Sequence, residues 1–138
     1  DIQMPDMDGV QACRLIRAQE MARYIMFADE AKFPSRGITG DPAYAQAFLR
    51  DRKTTKTGIS LKDFDMKTRI FKHRCSYMLY TDTWKQAPKE LKERIYYHMA
   101  LYLRDQPDAQ HAHLAPAERM AIRSILKETM TDLPAWWR

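Results

Sequence analysis

Histidine, cysteine and a cluster of basic side chains carry most of the chemical capacity in this sequence. His111 and His113 alternate, a spacing that can offer two imidazoles to a metal ion, but a metal site needs further ligands and no third stands near them. Cys13 and Cys75 lie far apart and outside any C-x-x-C arrangement, which argues against zinc or haem attachment. They are compatible with a disulfide or with two free buried thiols. His73, Cys75 and Tyr77 are neighbours, yet residues two apart on a helix point in different directions. His98 lies close to an apolar stripe, where an imidazole serves as a hydrogen-bonded structural group. Arg50, Arg52, Lys53 and Lys56 form the densest positive cluster, inside an apolar-poor stretch that reads as a basic surface loop. No catalytic residue set, metal site or cofactor site emerges from these spacings, and the reading leans away from an enzyme.

The elements that must position these residues read as helices. The chain has 138 residues, enough for one domain with a real core, and 45% of them are apolar, which excludes a disordered chain. Only four glycines are present and no alternating strand pattern recurs, while helix-forming residues are plentiful. Lys and Arg outnumber Asp and Glu by 23 to 18, a net charge of +5 spread along the chain. Such spreading fits a solvated surface better than a nucleic-acid interface. No apolar run approaches the roughly 20 residues that span a bilayer, and no stretch reads as a signal peptide. The start at Asp1 rather than Met points to a fragment or processed part of a larger protein.

Hydrophobic spacing and capping signals predict helices over 9–31, 41–50, 61–84, 88–105 and 116–131. The expected architecture is all-α, a single compact bundle of about five helices. Asp8 with Gln11 resembles a capping box, and Val10, Cys13, Ile16, Met21, Tyr24 and Ile25 continue an apolar stripe. Asp41-Pro42, Pro88 and Pro116 each suit a helix start. Ser60 with Asp63 suggests another capping box, and Phe64, Phe71, Cys75, Met78 and Leu79 fall near one helical face. The run 60–84 is therefore expected to be the helix on which the others pack. Trp136 and Trp137 follow Leu133-Pro134 as an apolar tail. This tail either folds back on the bundle or anchors a protein partner, and these two residues are the candidate partner-binding site.

The opening run DIQMPDMDG resembles the phosphoacceptor loop of bacterial response-regulator receiver domains, a D-x-x-M-P-x-M-D-G pattern within residues 1–18. That resemblance implies a phosphoacceptor at Asp1, with Met4-Pro5 shaping the loop and Asp8-Gly9 leading into the next helix. It also implies a later strand, a role into which Tyr24 to Ala28 could be forced, with Asp29 where the family carries a hydroxyl residue. The acidic pair that holds Mg²⁺ in that family would precede Asp1, and no Lys-Pro follows the candidate strand. Residues 23–138, through YIMFADEA, SLKDFDMKTRIFKHRCSYMLY and LPAWW, also resemble an uncharacterised helical domain of bacterial proteins associated with c-type cytochrome modules. That second resemblance implies an exported accessory domain, favouring the periplasm over the cytoplasm, beside electron-transfer proteins. The functional expectation is a non-catalytic helical interaction or accessory domain with a protein partner, and the alternative is a response-regulator fragment.

Overall fold

The computed structural model describes residues 8–137. The fold is all-α and compact. Its helices are α1 (Gly9–Ile25), α2 (Pro42–Leu49), α3 (Asp82–Lys85), α4 (Lys89–Tyr102) and α5 (Pro116–Thr129). Short 3-10 turns stand at Tyr77–Tyr80, Ala109–His111 and Ala135–Trp137. No helix among the described residues is long and apolar enough to cross a membrane.

Capping residues explain where the helices start. The Asp8 carboxylate accepts the Gln11 N–H at 2.8 Å and opens α1. Asp41 does the same for Ala43 at 3.0 Å, with Pro42 in the first turn of α2. Pro88 and Pro116 sit at the starts of α4 and α5.

Helix α1 packs against α4 and ends six residues before the expected 31. Its end is a Schellman turn: Ala28 N–H donates to Arg23 O and Phe27 N–H to Tyr24 O. Phe27 takes the left-handed position (φ 51°) that usually belongs to glycine, at a cost on the order of 1 kcal/mol. Its ring lies 6.2 Å from Phe71, and Arg23 grips Asp29 at 2.7 Å across the turn. Tyr24 to Ala28 therefore forms a helix end rather than a strand.

The buried core joins Ala18, Ala22 and Ile25 of α1 to Ile95, Tyr96 and Met99 of α4 and Ile122, Ile125 and Leu126 of α5. Burying each large apolar side chain contributes roughly 1.5–3 kcal/mol. Leu61, Cys75, Leu79 and Trp84 join this core from the segment between α2 and α4, and Met26, Tyr102, Leu103 and Leu114 from the helix ends and connections.

That segment overturns the expected central helix over 61–84. The Ser60 N–H does donate to Asp63 Oδ2 at 2.9 Å, as a capping box requires. The chain then turns into a small hairpin, with Phe64 bridged antiparallel to Phe71. Lys72 N–H donates to Asp63 O, Asp65 N–H to Ile70 O, and Met66 N–H to Arg69 O. Thr68 donates through its backbone and its hydroxyl to Asp65 Oδ2. Asp63, Asp65 and Thr68 thus offer the backbone local bonds that compete with a helix. Phe64 and Phe71 stack on each other at 5.7 Å, and Phe48 of α2 packs on both. Tyr77 closes the cluster edge-on to Phe48 at 5.1 Å. Only the C-terminal end of the stretch, Tyr77–Tyr80 and α3, is helical. Smaller corrections apply to α4, which stops at Tyr102, and α5, which stops at Thr129 where Met130 becomes extended.

Candidate functional site

The most apolar groove among the described residues lies where α1 meets the 3-10 turn at Tyr77–Tyr80 and α3. Met21, Tyr24 and Phe27 form one wall, and Tyr77, Met78 and Trp84 the other, around a groove of about 530 Å³. Polar lining comes only from Ser76, Thr81 and Thr83. Tyr24 is 81% exposed and Met78 60%, so both stand on the rim. The Ser76 N–H donates to Ile25 O at 2.8 Å and ties the two walls together at the groove floor. Thr81 caps α3 by accepting the Trp84 backbone N–H.

Trp84 is fixed from behind by a buried polar chain. Its Nε1–H donates to the Tyr96 hydroxyl at 3.1 Å, and that hydroxyl donates to Asp132 Oδ1 at 2.6 Å. Lys92 Nζ holds the other Asp132 oxygen at 3.1 Å. Burial, then the Asp132 hydrogen bond, pushes the Tyr96 phenol well above its ordinary pKa. The phenol stays protonated at neutral pH and acts as a strut.

The remaining candidates are dispersed. Trp137 is half-buried, edge-on to Tyr96 at 5.7 Å, so it folds back on the bundle. Trp136 is 54% exposed and packs beside Tyr97. The two tryptophans lie on the α4 side, and neither lines the groove.

Arg50, Arg52, Lys53 and Lys56 are all exposed but do not converge. Arg52 pairs with Asp63 at 3.1 Å, and the Lys56 backbone N–H donates to Glu128. Lys53 borders a separate cleft of about 460 Å³ with Lys85, Lys92 and Asp132. Asp1 lies outside the described residues, so the phosphoacceptor reading has no geometry to describe.

The histidines and cysteines have structural surroundings. His111 Nδ1 bonds Asp108 at 2.7 Å, His113 Nε2 donates to Met26 O at 2.7 Å, and both rings pack edge-on against Tyr102. His98 packs edge-on against Tyr97. His73 is buried with its Nε2 unpartnered, 3.9 Å from Asp63. Cys75 is fully buried, and burial drives its thiol pKa far upward, which removes its nucleophilicity. Cys13 is exposed on α1, so both thiols are free. Among the described residues no three His, Cys, Asp or Glu side chains gather as metal ligands.

The groove was not legible as a site in the sequence. Met21 and Tyr24 read as a continuation of the core stripe of α1. The structure instead buries Ala18, Ala22 and Ile25, leaving Met21 and Tyr24 on the rim. The small alanines were the available signal, because they allow α4 to approach closely. No family model matches the chain, and comparison with curated proteins and with solved structures finds no match.

Proposed function

We propose that this chain is a non-catalytic helical interaction domain whose apolar groove receives the apolar face of an amphipathic helix from a protein partner. The observation that carries this reading is the groove itself, with its apolar walls and its exposed Tyr24 and Met78 rim. A groove bordered by aromatics and a flexible methionine suits helix-in-groove recognition, in which side chains at i, i+3 or i+4, and i+7 insert as anchors. The Trp84 wall is pre-organised by Tyr96 and Asp132, which reduces the ordering cost of binding. The placement of the polar side chains also favours docking over catalysis: Tyr96, Asp132, Glu118 and His111 are all spent on internal hydrogen bonds.

Selection from a displayed library of helical peptides tests this reading. Ligands are expected to carry apolar residues at helical spacing, to lose binding at least tenfold on Met78→Asp, and to keep it on Arg50→Glu. Enrichment of no ligand, or of ligands indifferent to Met78→Asp, would dismiss it.

A further inference from the structure

Helix α1 carries two seams whose residues alternate three and four apart. The inner one, Leu15, Ala18, Ala22 and Ile25, faces the core, and its last three residues are buried. The outer one, Val10, Cys13, Arg17, Glu20 and Tyr24, is exposed throughout. A surface helix normally presents a polar outer face. Here Val10 is 61% and Tyr24 81% exposed, and Ile16 and Met21 flank the same seam in solvent. Two helices can pack along such a line of positions, and here apolar Val10, Cys13 and Tyr24 flank the charged Arg17 and Glu20.

We infer that the outer seam of α1 is the interface of a two-fold, antiparallel dimer of this chain. The inference goes beyond the groove reading and names the occupant of this seam as a second copy of the chain. Charge placement selects the copy and its orientation. In an antiparallel pair centred between Ala18 and Gln19, Arg17 lies level with the partner's Glu20, and Glu20 with the partner's Arg17. Cys13 then lies level with the partner's Tyr24. Val10 falls beyond Tyr24, level with the turn at Phe27 that lines the groove. The partner's first helical turn thereby reaches the groove mouth. A parallel pair in register would instead set Arg17 on Arg17 and Glu20 on Glu20. Among the described residues neither Arg17 nor Glu20 is engaged in an ion pair within its own chain. Two charges at the centre of a seam lower affinity but set register, because a slipped pairing leaves them unmatched.

Sedimentation equilibrium of the full chain across micromolar to submillimolar concentrations tests the dimer. The expected result is a concentration-dependent dimer. Arg17→Glu or Glu20→Arg alone should weaken it at least tenfold, and the double exchange should restore it. Far-UV circular dichroism checks that each variant remains helical. Register is read from the Tyr24→Cys variant treated with a short bismaleimide, which should join Cys13 of one chain to position 24 of the other. A chain that stays monomeric at every concentration overturns the inference, as does a dimer indifferent to both charge reversals or joined only Cys13 to Cys13. The groove reading is decided separately by the peptide selection, which a strictly monomeric chain could still pass.

Discussion

Arg74 wraps the carboxylate of Glu118, with Nη2 2.7 Å from Oε2 and Nε 3.0 Å from Oε1. The Arg74 backbone N–H adds a third bond at 3.1 Å, and Arg69 stands 3.5 Å from the same carboxylate. The contact fastens the first turn of α5 to the irregular segment that replaces the expected central helix. Burial alone would raise the Glu118 pKa, but Arg74's hydrogen bonds and charge, with Arg69 behind, outweigh it and hold the carboxyl below its ordinary value. Glu118→Gln should cost about 2–3 kcal/mol, the scale of losing charge-assisted bonds at a largely buried site. Because the folded carboxyl titrates below the unfolded one, the stability it contributes is present above the ordinary value of 4.5 and disappears as pH falls through the folded value. Urea unfolding from pH 6 to 3 should therefore show the gap between wild type and Glu118→Gln closing with acid.

Histidines wholly or partly withdrawn from water impose a second acid sensitivity. Burial first of all lowers the pKa values of His73, His98 and His113 from the ordinary 6.5. The unfolded chain then binds more protons than the folded one in the window below 6.5, so stability falls as pH drops through it. The urea midpoint should decrease between pH 7.5 and 5.5, above the range in which Glu118 titrates. His73→Gln should flatten that slope, since Nε2 of His73 is buried without a partner. An unchanged slope would mean that His73 is free to protonate in the folded state.

Gly37 is required by space as well as by conformation. Its φ is +67°, and a Cβ there would stand 2.5 Å from the backbone oxygen of Met66. That oxygen also accepts the Ile38 N–H at 2.9 Å, which holds the 34–38 turn against the hairpin. Gly37→Ala should destabilise by about 2–3 kcal/mol, combining left-handed strain with a backbone displacement. Gly58 shares a positive φ of 85° but has nothing within 4 Å of a built Cβ. Gly58→Ala should cost only about 1 kcal/mol. Equal losses in chemical denaturation would contradict the close approach at Met66.

The two thiols should react at very different rates. Cys13 is exposed and Cys75 buried with its pKa driven upward. In a solution dilute enough to be monomeric, a chromogenic disulfide reagent should modify one thiol per native chain quickly, and mass mapping should place it at Cys13. Cys75 should follow only at the rate of unfolding and become immediate in denaturant. Rapid modification of both in the native state would mean that the core opens around Leu61 and Leu79.

Capping chemistry was readable from local sequence because it needs only a few neighbouring residues. Asp8, Asp41, Pro88 and Pro116 each open the helix they announce. The same locality misled at Ser60 and Asp63, whose capping bond forms although no helix follows. Phe64 and Phe71 sit seven apart and would share a helical face, but they share a stack equally well across a hairpin. The choice falls to Phe48, which reaches that stack from α2, with Tyr77 closing on it from further along the same stretch. Nothing in the 60–84 spacing contains the position of Phe48.

The sequence by itself determined the all-α class, the starts of α1, α2, α4 and α5 and the presence of one apolar core, because propensity, capping and burial are summed over short windows. Tertiary structure alone decided which apolar residues remain outside that core. Ala18 and Ala22 allow α4 to approach one face of α1, and that choice leaves Met21 and Tyr24 on the groove and Val10 in solvent. A helix bears two possible apolar faces, and only the neighbour that arrives selects the one that is buried.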